Sequence, residues 1–380
     1  MSSLVLTPSS IEAKKDENGL HLTFDSNKLE KNLDLPNQFV WPNADLERSP
    51  EQLNEPLIDL EGFKNGDEAA TARAVEQIRL ACLNHGFFQV ANHGVDPSLV
   101  LAAQKETDTI FNLPLAKKLS AQRKLGTLVG YSGAHSDRFP SKLPWKETFT
   151  FDFYEKNGNS DPVVVHYFKS TLGEDFESCG WVYQKYCEAL TELALVIVEL
   201  LAVSLGVDRV QLRQIFEESN SLMRCNYYPP CKNPNLTLGT GPHCDPNSIT
   251  ILHQDHVGGL EVFSDNKWRL VKPRPNALVI NIGDTFTALS NGKYKSCVHR
   301  AAVNNVEGRR SLAFFFGPKL DKIVRAPEDL VRMDGERKFP DFTWSDMLDY
   351  TSKHHRADVV TLDTFVEWVL SSKTKVVPNY

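Results

Sequence analysis

Short apolar segments separated by turns fill the second half of the chain. Seven of them have the length and composition of β-strands, at 222–228, 248–253, 260–263, 268–271, 277–282, 296–303 and 311–316. Turn-forming pairs such as Gly258-Gly259 and Asn291-Gly292 lie between them. Strands of this length and spacing are typical of a double-sheet jelly roll, so the pattern predicts such a core.

The first half of the chain shows helical spacing instead. Apolar residues recur at three- and four-residue intervals over 68–84 and 97–111, and again over 181–205 and 208–218. Two short strands are predicted at 56–60 and 86–90, and two further helices near the C-terminus, at 344–354 and 362–370. The predicted fold class is therefore mixed α/β, an all-β core with flanking helices in which the core is a double-stranded β-helix, or jelly roll.

These patterns divide the chain into four parts. Residues 1–54 are polar and rich in proline, which predicts a mobile or loosely attached N-terminal arm. Residues 55–220 form a helical and strand portion that packs on the barrel. Residues 221–325 form the jelly-roll catalytic core, and residues 326–380 a C-terminal helical tail.

Composition narrows the function. The chain has 380 residues, 41% of them apolar, and a net charge of −7 without a concentrated basic region. Neither nucleic acid nor an anionic membrane is an expected partner, and no obligate protein partner is inferred. The seven cysteines form no C-x-x-C pair, and no signal peptide or membrane-length apolar run is present, so a cytoplasmic location is predicted.

The triplet His243-Cys244-Asp245 and the lone His299 are the candidate metal ligands. In a strand, residues two apart project to one face, so His243 and Asp245 can aim at one point, with Cys244 turned away. A distant strand would then supply His299. Two imidazoles and one carboxylate leave positions open on the metal, as in non-haem Fe(II) oxygenases. The same ligand types also suit zinc, so a zinc hydrolase is a remote alternative.

Two further His-x-Asp triplets compete with this assignment. His135-Ser136-Asp137 lies in a polar, loop-like segment far upstream of the predicted strands. His253-Gln254-Asp255 is the stronger competitor, because Asp255 is also at a plausible distance from His299. The residues alone leave the choice between the triplets at 243 and 253 open.

Arg309 and Ser311 are the candidate anchor for a carboxylate. They lie two residues apart and share a strand face, whereas Arg310 points to the opposite face. A guanidinium fork pairs with a carboxylate through two parallel hydrogen bonds. The turn between His299 and Arg309 would bring this pair one hairpin away from the metal.

Four motifs carry a resemblance to a known family. In order they are Asn226-Tyr227-Tyr228-Pro229-Pro230, Gly241-Pro242-His243-Cys244-Asp245-Pro246, His299-Arg300 and Arg309-Arg310-Ser311. Their order and spacing resemble the plant 2-oxoglutarate- and Fe(II)-dependent dioxygenases. The resemblance favours the triplet at 243 over the one at 253.

The resemblance implies cofactors and roles. It implies Fe(II), 2-oxoglutarate as co-substrate, O2, and ascorbate as a supporting reductant. The metal ligands would be His243, Asp245 and His299, and these with Arg309 form the expected catalytic set. Asn226 and Tyr228 would hydrogen-bond 2-oxoglutarate, and Arg309 with Ser311 would bind its far carboxylate.

Two stretches, 236–246 and 143–148, together with Phe39-Val40-Trp41-Pro42, resemble the gibberellin 20-oxidases. That subfamily oxidises C-20 of C20 gibberellin precursors in successive steps to give C19 gibberellins. The implied substrate is a diterpenoid acid, which needs an apolar wall and a cation. Trp145 with Lys146 or Arg138 is the candidate pair. The alternatives are a related oxygenase acting at another gibberellin position or on a flavonoid, and a non-catalytic binding protein on the same fold.

Overall fold

Two β-sheets form the centre of the molecule, and helices flank them. The structure, a computed structural model, describes residues 13–16, 19–22, 24–26, 34–49, 51–124, 126–136, 142–154, 162–354 and 361–374. The strands are β1 Ala13–Asp16, β2 Gly19–Leu22, β3 Leu57–Asp59, β4 Phe87–Ala91, β5 Gly130–Gly133, β6 Glu147–Phe153, β7 Asn220–Tyr228, β8 Thr240–His243, β9 Ile249–Gln254, β10 Leu260–Ser264, β11 Lys267–Leu270, β12 Leu278–Ile282, β13 His299–Ala301, β14 Arg309–Gly317, β15 Ile323–Val324 and β16 Phe342–Thr343.

The large sheet has eight strands in the order β3-β4-β12-β9-β14-β7-β6-β5. Its pairs are antiparallel except β3 with β4. The small sheet has the order β11-β10-β13-β8. Both sheets contribute side chains to one cavity. This two-sheet core with flanking helices confirms the predicted fold class.

Helices lie around the two sheets. They are Asn43–Leu46, Glu61–Lys64, Glu68–Asn84, Pro97–Phe111, Leu115–Ser120, Val163–Leu172, Glu177–Leu205, Arg209–Gln214, Asp284–Leu289, Glu328–Asp334, Trp344–His354 and Thr361–Thr374. The helix Glu177–Leu205 is the longest, and more than half of its residues are buried against β9, β14 and neighbouring helices. It ends at Gly206, whose φ of 72° lies in the left-handed region that glycine adopts without strain.

Part of the N-terminal arm is packed rather than loosely attached. Phe39 is fully buried, and Trp41 and Leu53 are 6% exposed. Trp41 N donates to Leu236 O and Leu53 N donates to Leu270 O. The expectation of a loose arm is therefore wrong for residues 36–49 and 51–53. The segment is polar on average, but it contains a few large apolar residues. These residues pack against parts of the barrel that are distant in sequence.

The seven strands predicted in the core are present with small shifts at their ends. Several elements there escaped prediction, among them β8, the short strand β15 and the helix Asp284–Leu289. Gly241 and Pro242 in β8 are residues that normally interrupt strands. All seven cysteines are free thiols, and only Cys244 among them is not fully buried. Within the described ranges, no helix has both the length and the apolar character needed to cross a membrane.

Candidate active site

His243, Asp245 and His299 converge on the inner side of the small sheet. His243 ends β8, His299 begins β13, and the two residues pair directly across these strands. His243 Nε2 lies 3.6 Å from Asp245 Oδ1, and His299 Nε2 lies 3.8 Å from Asp245 Oδ2. One potential ligand atom of each residue lies within 4.8 Å of the other two, so the three can share one metal ion.

Asp245 reaches this point from a loop. β8 ends at His243, so the expectation that His243 and Asp245 lie along one strand is wrong. The loop is held by the segment that follows β12, because Asp284 N donates to Asp245 O at 2.8 Å. A Cβ on Gly283 would lie 2.0 Å from Asn247 O, so the glycine permits this close approach.

Both histidines are oriented by backbone carbonyls. His243 Nδ1 lies 2.9 Å from Gly241 O, and His299 Nδ1 lies 3.1 Å from Cys297 O. A carbonyl only accepts hydrogen bonds, so each Nδ1 carries the hydrogen and donates it. The lone pair of each ring is then on Nε2, the atom that faces Asp245. This is how metal-binding histidines are usually held.

The two oxygens of Asp245 have different surroundings. Oδ2 accepts hydrogen bonds of 2.7 Å from Thr250 Oγ1 and from Asn281 Nδ2. Burial on its own would raise the pKa of Asp245, but the imidazoles of His299 and His243 and these hydrogen bonds hold it below its usual value. The carboxylate is therefore ionised at neutral pH. Two imidazoles and one buried carboxylate are a donor set that fits a divalent ion such as Fe(II).

Arg309 and Ser311 lie on one face of β14, as predicted from their spacing, opposite Tyr228 and Asn226 of β7. Arg309 is 2% exposed, and its Nη2 donates to Gln254 Oε1 at 3.2 Å. Its Nε is buried and has no hydrogen-bond partner within the described structure. A buried donor without a partner is costly, so this guanidinium is suited to an incoming anion.

The neighbouring polar groups belong to the same wall. Asn226 Nδ2 donates to Ser311 Oγ at 3.2 Å, and Asn226 Oδ1 is buried with no hydrogen-bond partner in the described structure. The ring of Tyr228 lies 5.0 Å from the Arg309 guanidinium. All four residues line the cavity that contains His243, Asp245 and His299. Arg310 lies on the opposite face and pairs with Asp108.

Three more cations line this cavity, Lys146, Arg224 and Arg300. Lys146 is 4% exposed, and its Nζ donates to Thr240 Oγ1 at 3.0 Å. Burial first, and then the charge of Arg224, lowers the pKa of Lys146 well below its usual range. An ammonium here would be stabilised by an anion that enters the cavity. The site therefore has cations for more than one carboxylate.

Trp145 is next to this cavity but does not line it. Its ring packs against Phe24 and Phe39, and its Nε1 donates to Pro229 O at 3.0 Å. Trp145 thus holds the entry to β6, and its neighbour Lys146 reaches the cavity. Arg138, the other candidate cation, lies outside the described residues.

The competing triplets lie elsewhere. His253 is 3.5 Å from Gln104, and burial lowers its pKa to about 4. Asp255 accepts hydrogen bonds from the backbone N–H groups of Val257 and Arg310, so it organises a turn. Neither residue lines the cavity, and within the described ranges only His243, Asp245 and His299 form a metal-binding cluster. His135 is buried in a turn, and Asp137 lies outside the described residues.

Sequence reasoning missed three residues that contribute to the site. Arg224 lies two residues before Asn226 on β7, so the strand period could have identified it. Thr250 and Asn281 lie opposite each other on β9 and β12. Their common contact with Asp245 depends on that pairing, which local spacing along the chain does not reveal.

Comparison with known proteins gives two family matches. Residues 219–318 match the 2OG-Fe(II) oxygenase superfamily, and residues 56–169 match the non-haem dioxygenase in morphine synthesis N-terminal family. The first match covers the metal cluster and Arg309. The second covers the segment between the arm and the long helix.

Individual relatives extend over most of the chain. Gibberellin 20 oxidase 2 of Oryza sativa subsp. indica is 54% identical over 88% of this chain and 85% of its own length. Gibberellin 20 oxidase 2 of Arabidopsis thaliana is 51% identical over 93% of both chains. The crystal structure of JOX2 in complex with 2OG, Fe and JA superimposes with a TM-score of 0.76, at 30% identity, over 90% of this chain and 98% of JOX2.

Proposed function

The chain belongs to the 2OG-Fe(II) oxygenase superfamily, and from this premise we propose that its substrate is a C20 gibberellin precursor oxidised at C-20. The proposed sequence takes the C-20 methyl to the alcohol, then to the aldehyde, and finally expels the carbon to give a C19 gibberellin. The observation that carries the proposal is one cavity with a metal cluster and separate cations for two acids. The named relatives supply the substrate class.

The proposed metal ligands are His243 Nε2, Asp245 Oδ1 and His299 Nε2. Bound Fe(II) supplies O2 activation coupled to the conversion of 2-oxoglutarate into succinate and CO2. The protein's contribution is to fix the ligand atoms. The Gly241 and Cys297 carbonyls set the two rings, and hydrogen bonds to Oδ2 set the carboxylate.

2-Oxoglutarate is proposed to bind between the metal and Arg309. The buried guanidinium would take the far carboxylate, with Ser311 and Tyr228 beside it. Asn226 Nδ2 donates to Ser311 Oγ, so the amide holds the Ser311 hydroxyl in place beside the co-substrate. Asn226 Oδ1 can only accept a hydrogen bond. Burial of all these groups excludes water from the co-substrate and strengthens its electrostatic contacts.

The gibberellin acid is proposed to meet Lys146. This side chain is buried on the same cavity, and among the residues that the structure describes its hydrogen-bond partner is a hydroxyl and not a carboxylate. A substrate carboxylate would favour its charged form, so substrate and ammonium stabilise each other. Trp145 supports this arrangement from outside the cavity. A cytoplasmic location remains a prediction.

The deciding experiment is incubation of the iron-loaded protein with a panel of C20 gibberellins, 2-oxoglutarate and ascorbate, with products identified by mass. We expect the alcohol, the aldehyde and the C19 product in that order. A parallel panel of flavonoids and C19 gibberellins tests the related activities. Decarboxylation of 2-oxoglutarate without conversion of any C20 gibberellin would keep the reaction class and overturn the substrate.

A further inference from the structure

Arg300 is a fully buried arginine directly after the metal-binding residue His299 on β13. It pairs across the strands with Glu261 of β10, and its Nε donates to Glu261 Oε2 at 2.5 Å. The ring of Trp268 covers the guanidinium at 3.9 Å. These two contacts fix Arg300 to the small sheet. They leave its two terminal nitrogens to bond elsewhere.

Both terminal nitrogens bind the N-terminal arm. Nη1 donates to Asp45 O at 2.6 Å, and Nη2 donates to Glu47 O. Residues 36–49, called the strap below, are thus bonded to the strand that carries a metal ligand. Two carbonyls on one planar fork are a geometry that arginine supports and lysine does not.

The strap also contacts the strand that carries the other histidine. A Cβ on Gly241 would lie 2.2 Å from Cη2 of Trp41, so the indole occupies the space of a missing side chain, two residues before His243. Gly241 directly follows Thr240, the hydrogen-bond partner of Lys146. The position of Trp41 therefore sets one side of the cavity wall.

A third set of contacts joins the strap to the segment before β6. Leu143 N donates to Gln38 O at 2.8 Å, and Trp41 Nε1 donates to Leu143 O at 3.2 Å. The rings of Phe39 and Trp145 pack edge to face at 5.1 Å. The strap thus supports both Thr240 and Lys146, although no strap residue lines the cavity itself.

We propose that the strap is the outer support of the substrate-binding wall, and that Arg300 is the positioning residue that latches it to β13. Arg300 lines the cavity, but its side chain is fully buried and all three guanidinium nitrogens are bonded to Glu261 and the strap, so it acts through the strap on Thr240 and Lys146. Loss of this latch is expected to weaken binding of the organic substrate. Binding of 2-oxoglutarate should be affected less, because its proposed anchor lies on β7 and β14 of the large sheet. The substrate side of this inference rests on the proposed function, because it takes Lys146 as the partner of the gibberellin acid.

The test is Arg300→Lys in the full-length, iron-loaded protein, with Arg332→Lys as matched control. Arg332 is exposed and pairs with Asp329 of its own helix, and it does not line the cavity. A lysine keeps the charge beside Glu261 but loses the fork. We expect a gibberellin KM raised about tenfold, which is the effect of one lost charge-assisted hydrogen bond. The KM for 2-oxoglutarate and the iron content are expected to stay within about twofold, because effects at sites that share no partners are largely independent. Hydrogen exchange of the strap amides, in residues 36–49, should accelerate in this variant and not in the control.

A second variant guards against misfolding. Trp41→Phe keeps an aromatic side chain in the strap but loses the bond to Leu143 O and the indole atoms nearest Gly241, so the same changes in strap exchange and gibberellin KM are expected. Unchanged exchange of the strap in a folded Arg300→Lys protein would overturn the latch. Equal rises in both KM values, or a loss of iron, would show that Arg300 acts through the metal strand instead. The exchange measurement needs no gibberellin, so it decides the latch even if no gibberellin is converted.

Discussion

Asp245 shows how a single residue is prepared for a metal. Thr250 and Asn281 bond its Oδ2, while its Oδ1 faces His243. These bonds restrict rotation of the carboxylate and neutralise part of its charge on one side. This geometry favours Asp245 as a monodentate metal ligand that binds through Oδ1.

Asn281→Ala should therefore weaken iron binding about 10- to 100-fold, the usual effect of removing an outer partner of a metal ligand. Iron affinity, measured by competition with a chelator, checks this expectation. Thr287→Val is the control, because the Thr287 hydroxyl donates to the carbonyl of Gly283, which caps the helix Asp284–Leu289, and makes no bond to Asp245 within the described residues. Wild-type iron affinity in a folded Asn281→Ala protein would leave Asp245 orientation to Thr250 alone.

The choice between the two His-x-Asp triplets can be tested at the same scale. His243→Ala, Asp245→Ala and His299→Ala should each abolish turnover, because each removes one donor atom from the cluster. His253→Ala and Asp255→Ala should leave the iron content unchanged, since neither side chain reaches the cavity. Metal analysis of the five purified variants decides between the triplets. Loss of iron from the 253 and 255 variants alone would reverse the assignment.

Arg309→Lys tests the co-substrate anchor. The lysine keeps the charge but loses the fork, and a charge-assisted hydrogen bond contributes about 1.5–3 kcal/mol, so the 2-oxoglutarate KM should rise about 10- to 100-fold. The gibberellin KM should change much less. Steady-state kinetics with each substrate varied in turn separate the two effects. An unchanged 2-oxoglutarate KM would place the anchor elsewhere in the cavity.

At the scale of elements, the entry to β6 shows how apolar packing positions a polar group. Trp145 is 3% exposed among Phe24, Phe39 and Tyr228. Its burial fixes the backbone from which Lys146 enters the cavity. The strand-anchor role of Trp145 is therefore compatible with an effect on substrate binding.

Trp145→Ala should lower the free energy of unfolding by about 3–5 kcal/mol, because it leaves a large cavity. Gibberellin oxidation should fall, and uncoupled decarboxylation of 2-oxoglutarate should persist, since Trp145 itself does not line the cavity that holds the metal cluster and Arg309. A thermal melt must precede the kinetics. Wild-type gibberellin turnover by a folded variant would limit Trp145 to a structural role.

The elements that sequence reasoning identified share a strong local signal. Period-two alternation located β7, β9 and β14, and it placed Arg309 and Ser311 on one face. β8 was missed because glycine and proline interrupt its pattern, although Gly241 is required there by the close approach of Trp41. Asp245 was placed on a strand because local spacing cannot reveal the loop that Asp284 holds.

At the scale of the whole molecule, the least predictable feature was the packed arm. Trp41 and Phe39 are isolated apolar residues in a polar segment, and their partners lie about a hundred or more residues away, in the 143–145 segment and β8. Such contacts arise from tertiary packing and leave no periodic pattern in the chain. The metal ligands were predictable because their chemistry restricts residue type, whereas the supports of the cavity wall were not.

The strand order of the large sheet also determines when the protein can form its site during translation. β4 pairs with β12, and β14 lies between β7 and β9. β4 and β7 therefore gain these neighbours only after segments far along the chain have been synthesised. A nascent chain that lacks β14 has no Arg309 and presents unpaired strand edges. Such edges readily pair with other chains, and long-range pairing is slow. These edges of β7 and β9 are covered only after β14, which ends at Gly317, has left the ribosome.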